Sequence, residues 1–342
     1  MSRSIYAAAI RPFVLIIGFA CALSVSAAPP AATLTAAAAP RLRVYLLAGQ
    51  SNMEGHGVVD LDDAKDYNGG RGNLAAFVAD PAHHERWKQL RNADGTWTTR
   101  DDVFVSYLTE NKVQKAGPLS VGFAVYDDRH HFGPELGIGD ALGSRLDEPV
   151  LLIKTAWGGK SLAKDFRPPS AGGEVGPYYA QMLKEYRAAI AAIPTALPAL
   201  AGRTPQLDGV IWFQGWNDGC DDKAAAEYEE NLVYLITDLR HEFGVRTLPF
   251  VVGETGNHDS MVLRNGQKAA CARKEVSDGA RFVPTSEFRR KPEESPNPGH
   301  IHHWSGSSES YLLIGDALGR AMAELVVARE KAPAPTPAPA KR

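Results

Sequence analysis

Five short apolar segments, separated by stretches with helical periodicity, constrain the fold of this chain most strongly. Each is largely apolar throughout, which is typical of strands buried on both faces of a parallel sheet. The alternation predicts an α/β fold, a three-layer α/β/α sandwich with a central parallel sheet and right-handed crossovers. The predicted strands are Leu42–Leu47, Val150–Lys154, Gly209–Phe213, Leu248–Val252 and Arg281–Val283.

Two helical patterns support this fold. The first places six apolar side chains on one face and ends at Gly244, and the last helix has the same 3–4 spacing with Ser307 as its predicted N-cap. The apolar positions are Tyr228, Leu232, Leu235, Ile236, Leu239 and Phe243 in the first, and Tyr311, Ile314, Leu318, Met322 and Leu325 in the last.

The first 28 residues have the pattern of a secretory signal peptide. An apolar run over residues 13–20 is followed by the small residues Val25-Ser26-Ala27, which offer a cleavage site. The run is short for a membrane span. Cys21 permits a lipoprotein interpretation, but Gly18 stands where a leucine is expected. We therefore expect an exported protein, periplasmic or extracellular.

The remaining chain divides by composition. Residues 29–40 are a low-complexity leader, residues 41–330 a single domain, and residues 331–342 a Pro/Ala-rich tail. Within the domain, residues 58–132 show little periodicity and are predicted to be an irregular insert. A long insert after the first strand either contacts a sugar ligand or is a plain surface loop. Its residues Trp87 and Trp97 either stack on a sugar ring or pack in the core.

Charge and cysteine content narrow the function. With 342 residues and a net charge of −3, the chain has no basic stripe of the kind that binds nucleic acid. Two cysteines follow the signal peptide, Cys220 and Cys271. In an oxidising compartment they form one disulfide or remain free thiols, and both possibilities are open.

The stretch AGQSNMEGHG presents Ser51 directly after the first predicted strand. Glycine, serine and asparagine are ordinary turn residues, so a simple turn is one interpretation. A nucleophile on a tight strand-to-helix turn is the other, and it requires a base elsewhere in the chain, because a free hydroxyl is a poor nucleophile at neutral pH.

Two later strands end in polar clusters. In KTAWGGKSL, Gly158 and Gly159 let the backbone approach a ligand, although Gly-Gly is more often only a turn. In IWFQGWNDG, Gln214 and Asn217 follow the strand; the Asn217 amide either donates to an oxyanion or makes an Asx-turn that caps the next helix.

The stretch HIHHWSG places three histidines just before the last helix. His302 or His303 is a candidate base for Ser51. Three histidines are also a possible zinc site, but no carboxylate or cysteine lies at the usual ligand spacing. A solvated histidine-rich loop is the remaining alternative.

Together these motifs resemble a known superfamily. Ser51 in GQSN, Gly158-Gly159, the run Gly215 to Asp218 and His303 occur in the order of the four blocks of SGNH hydrolases. The spelling GQSNM, with residues 132–135 (FGPE) before a helix, resembles the sialate O-acetylesterase-like proteins and the acetylxylan esterases of carbohydrate esterase family six. The resemblance spans roughly residues 42–327.

The resemblance implies a flavodoxin-like sandwich and a hydrolase that removes acetyl groups from sugars without metal or cofactor. Its implied partner is an acetylated carbohydrate, with no nucleic acid and no membrane. It assigns Ser51 as nucleophile, His303 as base with His302 as rival, and an oxyanion hole formed by the Ser51 N–H, the Gly159 N–H and the Asn217 side chain. The implied substrate-binding residues are Gln50, Asn52, Gln214, Glu135 and His302.

This sequence departs from the superfamily pattern in two places. His300 stands where an aspartate usually precedes the catalytic histidine, and Trp216 stands where a glutamate often follows Gln-Gly. Asp218 is the candidate triad acid, because it is an acid in the right block. Alternatives are Glu293, Glu294 or a backbone carbonyl, since a triad is defined by geometry and roles. Two other functions stay open, an esterase for non-sugar esters and a non-catalytic sugar-binding module.

Overall fold

A computed structural model describes residues 39–331 of the chain. Its centre is a seven-stranded sheet in the order β4-β3-β6-β1-β7-β8-β9, parallel except for the antiparallel edge strand β4. A separate antiparallel pair joins β2 to β5. The strands are β1 Arg41–Gly49, β2 Gly57–Val58, β3 Val103–Leu108, β4 Gln114–Pro118, β5 His131–Phe132, β6 Val150–Ala156, β7 Thr204–Phe213, β8 Phe250–Gly253 and β9 Ala280–Val283.

The parallel sheet predicted from the apolar segments is confirmed. All five segments form neighbouring parallel strands, β6-β1-β7-β8-β9. The β7 strand is longer than predicted and starts at Thr204, because its first residues pair with β1 while remaining largely exposed.

Helices cover both faces of the sheet, as the three-layer prediction requires. One core lies between the sheet and α2, α4 and α9, and the other between the sheet and α5, α7 and α8. The helices are α1 Ser51–Glu54, α2 Leu74–Ala79, α3 Pro81–Trp87, α4 Glu135–Gly143, α5 Pro177–Ala196, α6 Trp216–Gly219, α7 Asp222–Glu242, α8 Met261–Ala272 and α9 Ser308–Lys331. No helix within residues 39–331 is long and apolar enough to cross a membrane.

The two helical patterns are confirmed as α7 and α9. In α7, five of the six predicted apolar side chains are buried, while Phe243, just past its end, is partly buried. At the start of α9, Ser307 caps the helix: its hydroxyl accepts a hydrogen bond from the Ser310 N–H at 3.2 Å.

The segment 58–132 is not an irregular insert, and this prediction is wrong. It contributes β3 and β4 to the main sheet and α2 and α3 to one outer layer. Trp87 is only 2% exposed in the core, and Trp97 is partly buried against it beneath the Arg91 guanidinium. Core packing, rather than sugar stacking, therefore accounts for both tryptophans.

Three strands end level with one another. Gly49, the last residue of β1, pairs with Ala156 of β6 on one side and with Phe213 of β7 on the other. A Cβ at Gly49 would lie 2.2 Å from the Phe213 carbonyl oxygen, so only glycine permits this approach. The loops that follow β1, β6 and β7 therefore meet at one carboxyl edge, where open α/β sheets bind ligands.

A buried ion pair fastens the turn after β1 to the rest of the sheet. Lys154 on β6 and Glu135 at the start of α4 are both fully buried and lie 2.8 Å apart. The same ammonium donates to the carbonyl oxygens of Glu54, at 2.7 Å, and of Phe123, at 2.8 Å. All three protons of Lys154 thus have acceptors, which a buried ammonium requires.

Several sequence predictions concern other features. The signal peptide, the leader up to residue 38, Cys21 and the tail from residue 332 lie outside the described residues. Within them, Cys220 is an exposed free thiol and Cys271 a buried one, so the two do not form a disulfide.

Replacing Glu135 by alanine should lower the free energy of unfolding by about 3–5 kcal/mol, because it leaves the Lys154 ammonium buried and unpaired. Urea denaturation of the purified protein measures this. The matched control is Glu85→Ala, which removes the exposed partner of Lys88 and should leave stability nearly unchanged, because water screens this pair. Equal losses in the two variants would contradict the role given to the buried pair.

Candidate active site

Ser51 begins a single helical turn at the carboxyl edge of the sheet. The helix α1 follows β1 after Gln50, and its hydrogen bonds run from Met53 and Glu54 back to the Gln50 carbonyl. The N–H of Ser51 therefore lies in the first turn, where it has no acceptor within the helix. Ser51 itself is 9% exposed, and its hydroxyl makes no hydrogen bond to another residue between 39 and 331.

A buried amide network joins the β1 loop to the β7 loop. The Gln50 side-chain oxygen accepts from the backbone N–H groups of Gly215, at 3.1 Å, and Asn217, at 3.3 Å. The Gln214 amide donates to Gln50 and to Asp218, and its oxygen accepts from the Tyr228 hydroxyl. Gln50 and Gln214 are only 3% and 2% exposed. In the structure they hold the two loops together, and their role as substrate contacts stays a prediction.

Asp218 has a different role from the predicted triad acid. It is fully buried, and its two carboxylate oxygens accept from the N–H groups of Leu162 and Ala163, both at 2.9 Å, and from Gln214 at 2.6 Å. Burial raises the pKa of this carboxyl, opposed by those hydrogen bonds. The contacts fix the loop after β6 against the loop after β7 and do not reach an imidazole.

Two further residues predicted to contact the substrate, Glu135 and Asn52, are buried and hydrogen-bonded to other parts of the protein. Glu135 pairs with Lys154 and accepts from the Gly133 N–H at 2.8 Å, so both of its carboxylate oxygens have partners inside the protein. The Asn52 amide donates to the His302 carbonyl at 3.1 Å and accepts from the Tyr311 hydroxyl at 2.9 Å. Asn52 therefore joins α1 to the histidine loop and is 3% exposed.

The loop after β6 brings an exposed glycine to the same edge. Gly159 has a φ of 65°, in the left-handed region, and a Cβ there would meet nothing within 4 Å. Glycine is favoured there by its backbone conformation and not by crowding. Asn217 is exposed on the loop after β7, in a cleft it shares with Ser161 and Cys220.

The histidine loop is held against α1 by its backbone. The carbonyl oxygen of His302 accepts from Asn52 on α1 and, at 3.0 Å, from Asn257 on the loop after β8. The loop thus reaches the turn that begins with Ser51, across a separation of 250 residues between Asn52 and His302. The loop that carries the three histidines therefore lies against the helical turn that begins with Ser51.

Backbone strain marks the residues that follow His303. Trp304 and Ser305 have φ values of 51° and 53°, a conformation that costs a residue with a side chain about 1–2 kcal/mol. The strain is held by hydrogen bonds from the Ser305 N–H to the His300 carbonyl and from the Asn297 N–H to the Ser305 carbonyl. Such conformations persist only where the surroundings enforce them, and they concentrate at functional sites.

The ring of His303 lies flat against the ring of His56. The two centroids are 3.6 Å apart and the planes differ by 7°. Burial, followed by the neighbouring His302 and His300, lowers the pKa of His303 to about 3. Burial also lowers the pKa of His56, and the nearby His303 lowers it further. Both imidazoles are therefore neutral at pH 7, as a proton acceptor must be.

The alternative acids and the zinc alternative find no structural support. Glu293 and Glu294 are exposed, and Glu294 pairs with Lys291 at 3.1 Å. Among residues 39–331, no group of three or more His, Cys, Asp or Glu side chains is arranged to hold a metal ion.

Glu54, at the end of α1, has a buried carboxyl group that could not be identified from the sequence. It is 2% exposed and accepts from the Tyr107 hydroxyl at 3.2 Å. Burial, together with the nearby Glu110, raises its pKa to about 7. A Cβ at Gly158 would lie 3.3 Å from one Glu54 oxygen, so this carboxyl borders the glycine loop.

Sequence reasoning also missed His56, Tyr126 and Asn257. His56 lies in the same short stretch as Ser51, but nothing in its spacing distinguishes it from a turn residue. Its contact with His303 joins distant parts of the chain and appears only in the folded structure.

The serine turn and the glycine loop follow β1 and β6 at the carboxyl edge of the sheet, and the histidine loop lies against the serine turn. The carbohydrate esterase family described as sialic acid-specific acetylesterase matches residues 41–324. This chain belongs to that family. No match to a curated protein was found.

Solved structures share the fold at low sequence identity. NanS has a TM-score of 0.54 and 12% identity, covering 86% of this chain and 99% of its own. A protein from Arabidopsis thaliana has a TM-score of 0.53 and 17% identity, covering 83% and 99%. XAC1771, a carbohydrate acetylesterase from Xanthomonas citri, has a TM-score of 0.51 and 16% identity, covering 83% of this chain and 56% of its own.

Glu54 should make stability depend on pH. Because its pKa is raised from 4.5 to about 7 on folding, its stabilising contribution is fully present below pH 4.5 and is lost as the pH rises through about 7. The shift corresponds to roughly 3 kcal/mol. Glu54→Gln removes this ionisation. Between pH 5 and pH 8, the free energy of unfolding of the variant should therefore rise by about 2–3 kcal/mol relative to that of the parent protein, as measured by urea denaturation. Parallel pH profiles of the two proteins would refute the shift.

Asp218→Asn separates a loop-fixing role from a triad role. The asparagine amide would point N–H groups at the backbone donors of Leu162 or Ala163, so we expect a loss of about 1–3 kcal/mol in unfolding free energy. Loss of a triad aspartate typically lowers kcat by about 10⁴-fold. A fall of that size in a stably folded Asp218→Asn protein would restore Asp218 as the triad acid.

Proposed function

We propose that this protein is an exported serine esterase that removes O-acetyl groups from a carbohydrate by a Ser-His acyl-enzyme mechanism. The observation that carries the proposal is the contact of the histidine loop with the α1 turn, through Asn52 and His302 and through His56 and His303. Family membership supports the substrate class, and acetylated sialic acids are the first substrates to test.

In the first half-reaction, His303 takes the hydroxyl proton of Ser51 while the serine oxygen attacks the acetyl carbonyl carbon. The negative charge that develops is accepted by the Ser51 N–H, the Gly159 N–H and the Asn217 side chain. The bond to the sugar oxygen then breaks, and His303 returns its proton to that oxygen. The sugar leaves and acetyl-Ser51 remains.

In the second half-reaction, a water molecule takes the place of the sugar. His303 removes one of its protons, the resulting hydroxyl attacks the acetyl-serine, and the same donors stabilise the anion. Acetate leaves and the proton returns to Ser51. His303 is favoured over His302 because its ring is fixed by a flat neighbour, whereas the firmest contacts of His302 are through its backbone carbonyl.

A polar cleft beside the glycine loop, and a second cleft that combines aromatic with charged side chains, favour a sugar over a lipid ester. One, of about 580 Å³, is lined by Trp157, Tyr178, Glu110, Lys112 and Gln181. The other, of about 670 Å³, is lined by Ser161, Lys164, Asp165, Asn217, Cys220 and Asp221. Hydroxyl-rich ligands match charged and amide groups, and a long acyl chain would need an apolar channel instead.

The residues assigned to catalysis predict a sharp loss of activity. Ser51→Ala should lower acetate release from p-nitrophenyl acetate and from acetylated sialic acid by about 10⁴-fold or more, and His303→Ala should do the same. His302→Ala serves as the matched control and should retain most of the activity. Full activity in Ser51→Ala would rule out the mechanism, and a reversed order of the histidine variants would make His302 the base.

Acyl-chain preference separates the remaining functions. An acetylesterase should hydrolyse p-nitrophenyl acetate much faster than p-nitrophenyl octanoate. Each methylene group changes the difference in activation free energy between two substrates by about 1–3 kcal/mol, and the octanoyl chain has several more of them than the acetyl group. A preference for octanoate would favour a lipid esterase. Sugar binding without hydrolysis of any ester would favour a binding module.

A further inference from the structure

The proposed base lacks the carboxylate that usually supports a catalytic histidine. The residue three positions before His303 is His300, and Asp218 binds backbone N–H groups of another loop. During acyl transfer His303 becomes an imidazolium for part of the cycle. In a triad the aspartate orients the ring and stabilises that cation, so in this protein another group must do both.

His56 occupies the position that such a group would need. Its ring covers one face of His303 at 3.6 Å with planes 7° apart. The Nε2 atom of His56 is buried and has no hydrogen-bond partner among residues 39–331. His56 therefore contacts the proposed base through the face of its ring. Burial and the neighbouring His303 both lower the pKa of His56, so His56 stays neutral when His303 carries the proton.

The orientation of His56 is fixed in turn. Its Nδ1 lies 2.8 Å from the Tyr126 hydroxyl, and the two rings meet edge to face. The loop that carries Tyr126 is held by the Lys115 ammonium of β4, which donates to the carbonyl oxygens of Gly122, Ala124 and Tyr126. The ring of His56 therefore cannot turn away from His303 without breaking a hydrogen bond.

His56, Tyr126 and His131 form a column of aromatic rings that begins at His303 and ends at a carboxylate. Tyr126 stacks on His131 with centroids 3.8 Å apart and planes at 23°. The Nδ1 of His131 lies 3.0 Å and 3.1 Å from the two oxygens of Asp128. His131 is 3% exposed on β5, so the far end of the column is anchored in the folded core.

We infer that His56 is a positioning residue for the reaction, whose aromatic face orients His303 and lies against the imidazolium that forms on it. This role rests on the proposed function, in which His303 is the base. A cation over an aromatic face is attracted by the negative potential of the ring, and the attraction is stronger in a desolvated site. The interaction is largest when the proton is on His303, so it assists the transition state more than the bound substrate.

The decisive experiment compares two replacements of His56. His56→Leu removes the aromatic face and should lower kcat by about 10- to 30-fold with KM changed less than twofold. His56→Phe keeps a flat face and should retain kcat within about threefold of the parent protein. A purely structural role would not distinguish between these two apolar side chains in kcat alone.

A matched control is present in the helices α2 and α3. His83 stacks on Phe77 with centroids 4.4 Å apart and planes at 28°, in α3 and α2. His83→Leu removes a histidine from a similar aromatic stack and should leave kcat and KM unchanged. Ser51→Ala and His303→Ala test the proposed mechanism separately, so failure of the His56 inference is distinguishable from failure of the esterase assignment.

Tyr126→Phe provides a second test that does not depend on the folding of the His56 variants. It removes only the hydroxyl that holds the His56 Nδ1 and should lower kcat by about three- to tenfold with KM unchanged. Parent-like kcat in His56→Leu would overturn the inference, as would equal losses in His56→Leu and His56→Phe. If neither His56 variant folds, parent-like kcat in Tyr126→Phe overturns it.

Discussion

The position of β1 between β6 and β7 is the constraint on which the rest of the structure depends. Gly49 pairs with the last residue of each neighbour, so three loops leave the sheet at one level. The polar side chains near these ends are mostly buried and satisfy one another. Gln50 binds the β7 loop, Asp218 binds the β6 loop, and Lys154 binds the end of α1. A buried polar group needs such partners, and here the partners are other loops of the site.

The fold was largely predictable because its parallel strands are buried on both faces. Such strands are continuous apolar runs, and the five predicted ones form the adjacent parallel core of the sheet. The missed pair, β3 and β4, lies at one end of the sheet; β3 (VFVSYL) is itself a buried apolar run that was overlooked within the segment, whereas β4 is the edge strand. Every second residue of β4 is exposed and none is large and apolar, so its pairing depends on the tertiary structure and not on a local pattern. The surrounding segment was therefore misjudged as an insert.

The site was predictable only in part. The serine turn, the glycine loop and the histidine loop each follow or precede a recognisable element, so their approach to one edge followed from topology. The roles of Gln50, Gln214, Glu135 and Asp218 did not, because sequence does not show which polar side chains are buried. When such a side chain is buried, it forms hydrogen bonds between loops. The stacking of His56 on His303 depends equally on the folded geometry.

The nucleophile and the ring that supports the base belong to one short continuous segment. Ser51 opens α1, and His56 follows two residues after its last residue, Glu54. A displacement of this segment therefore carries both groups in the same direction, and the imidazole stacked on His56 tends to follow. In the proposed mechanism the Ser51 hydroxyl and the His303 imidazole would then move together, so their separation would change less than it would with a supporting carboxylate on another loop.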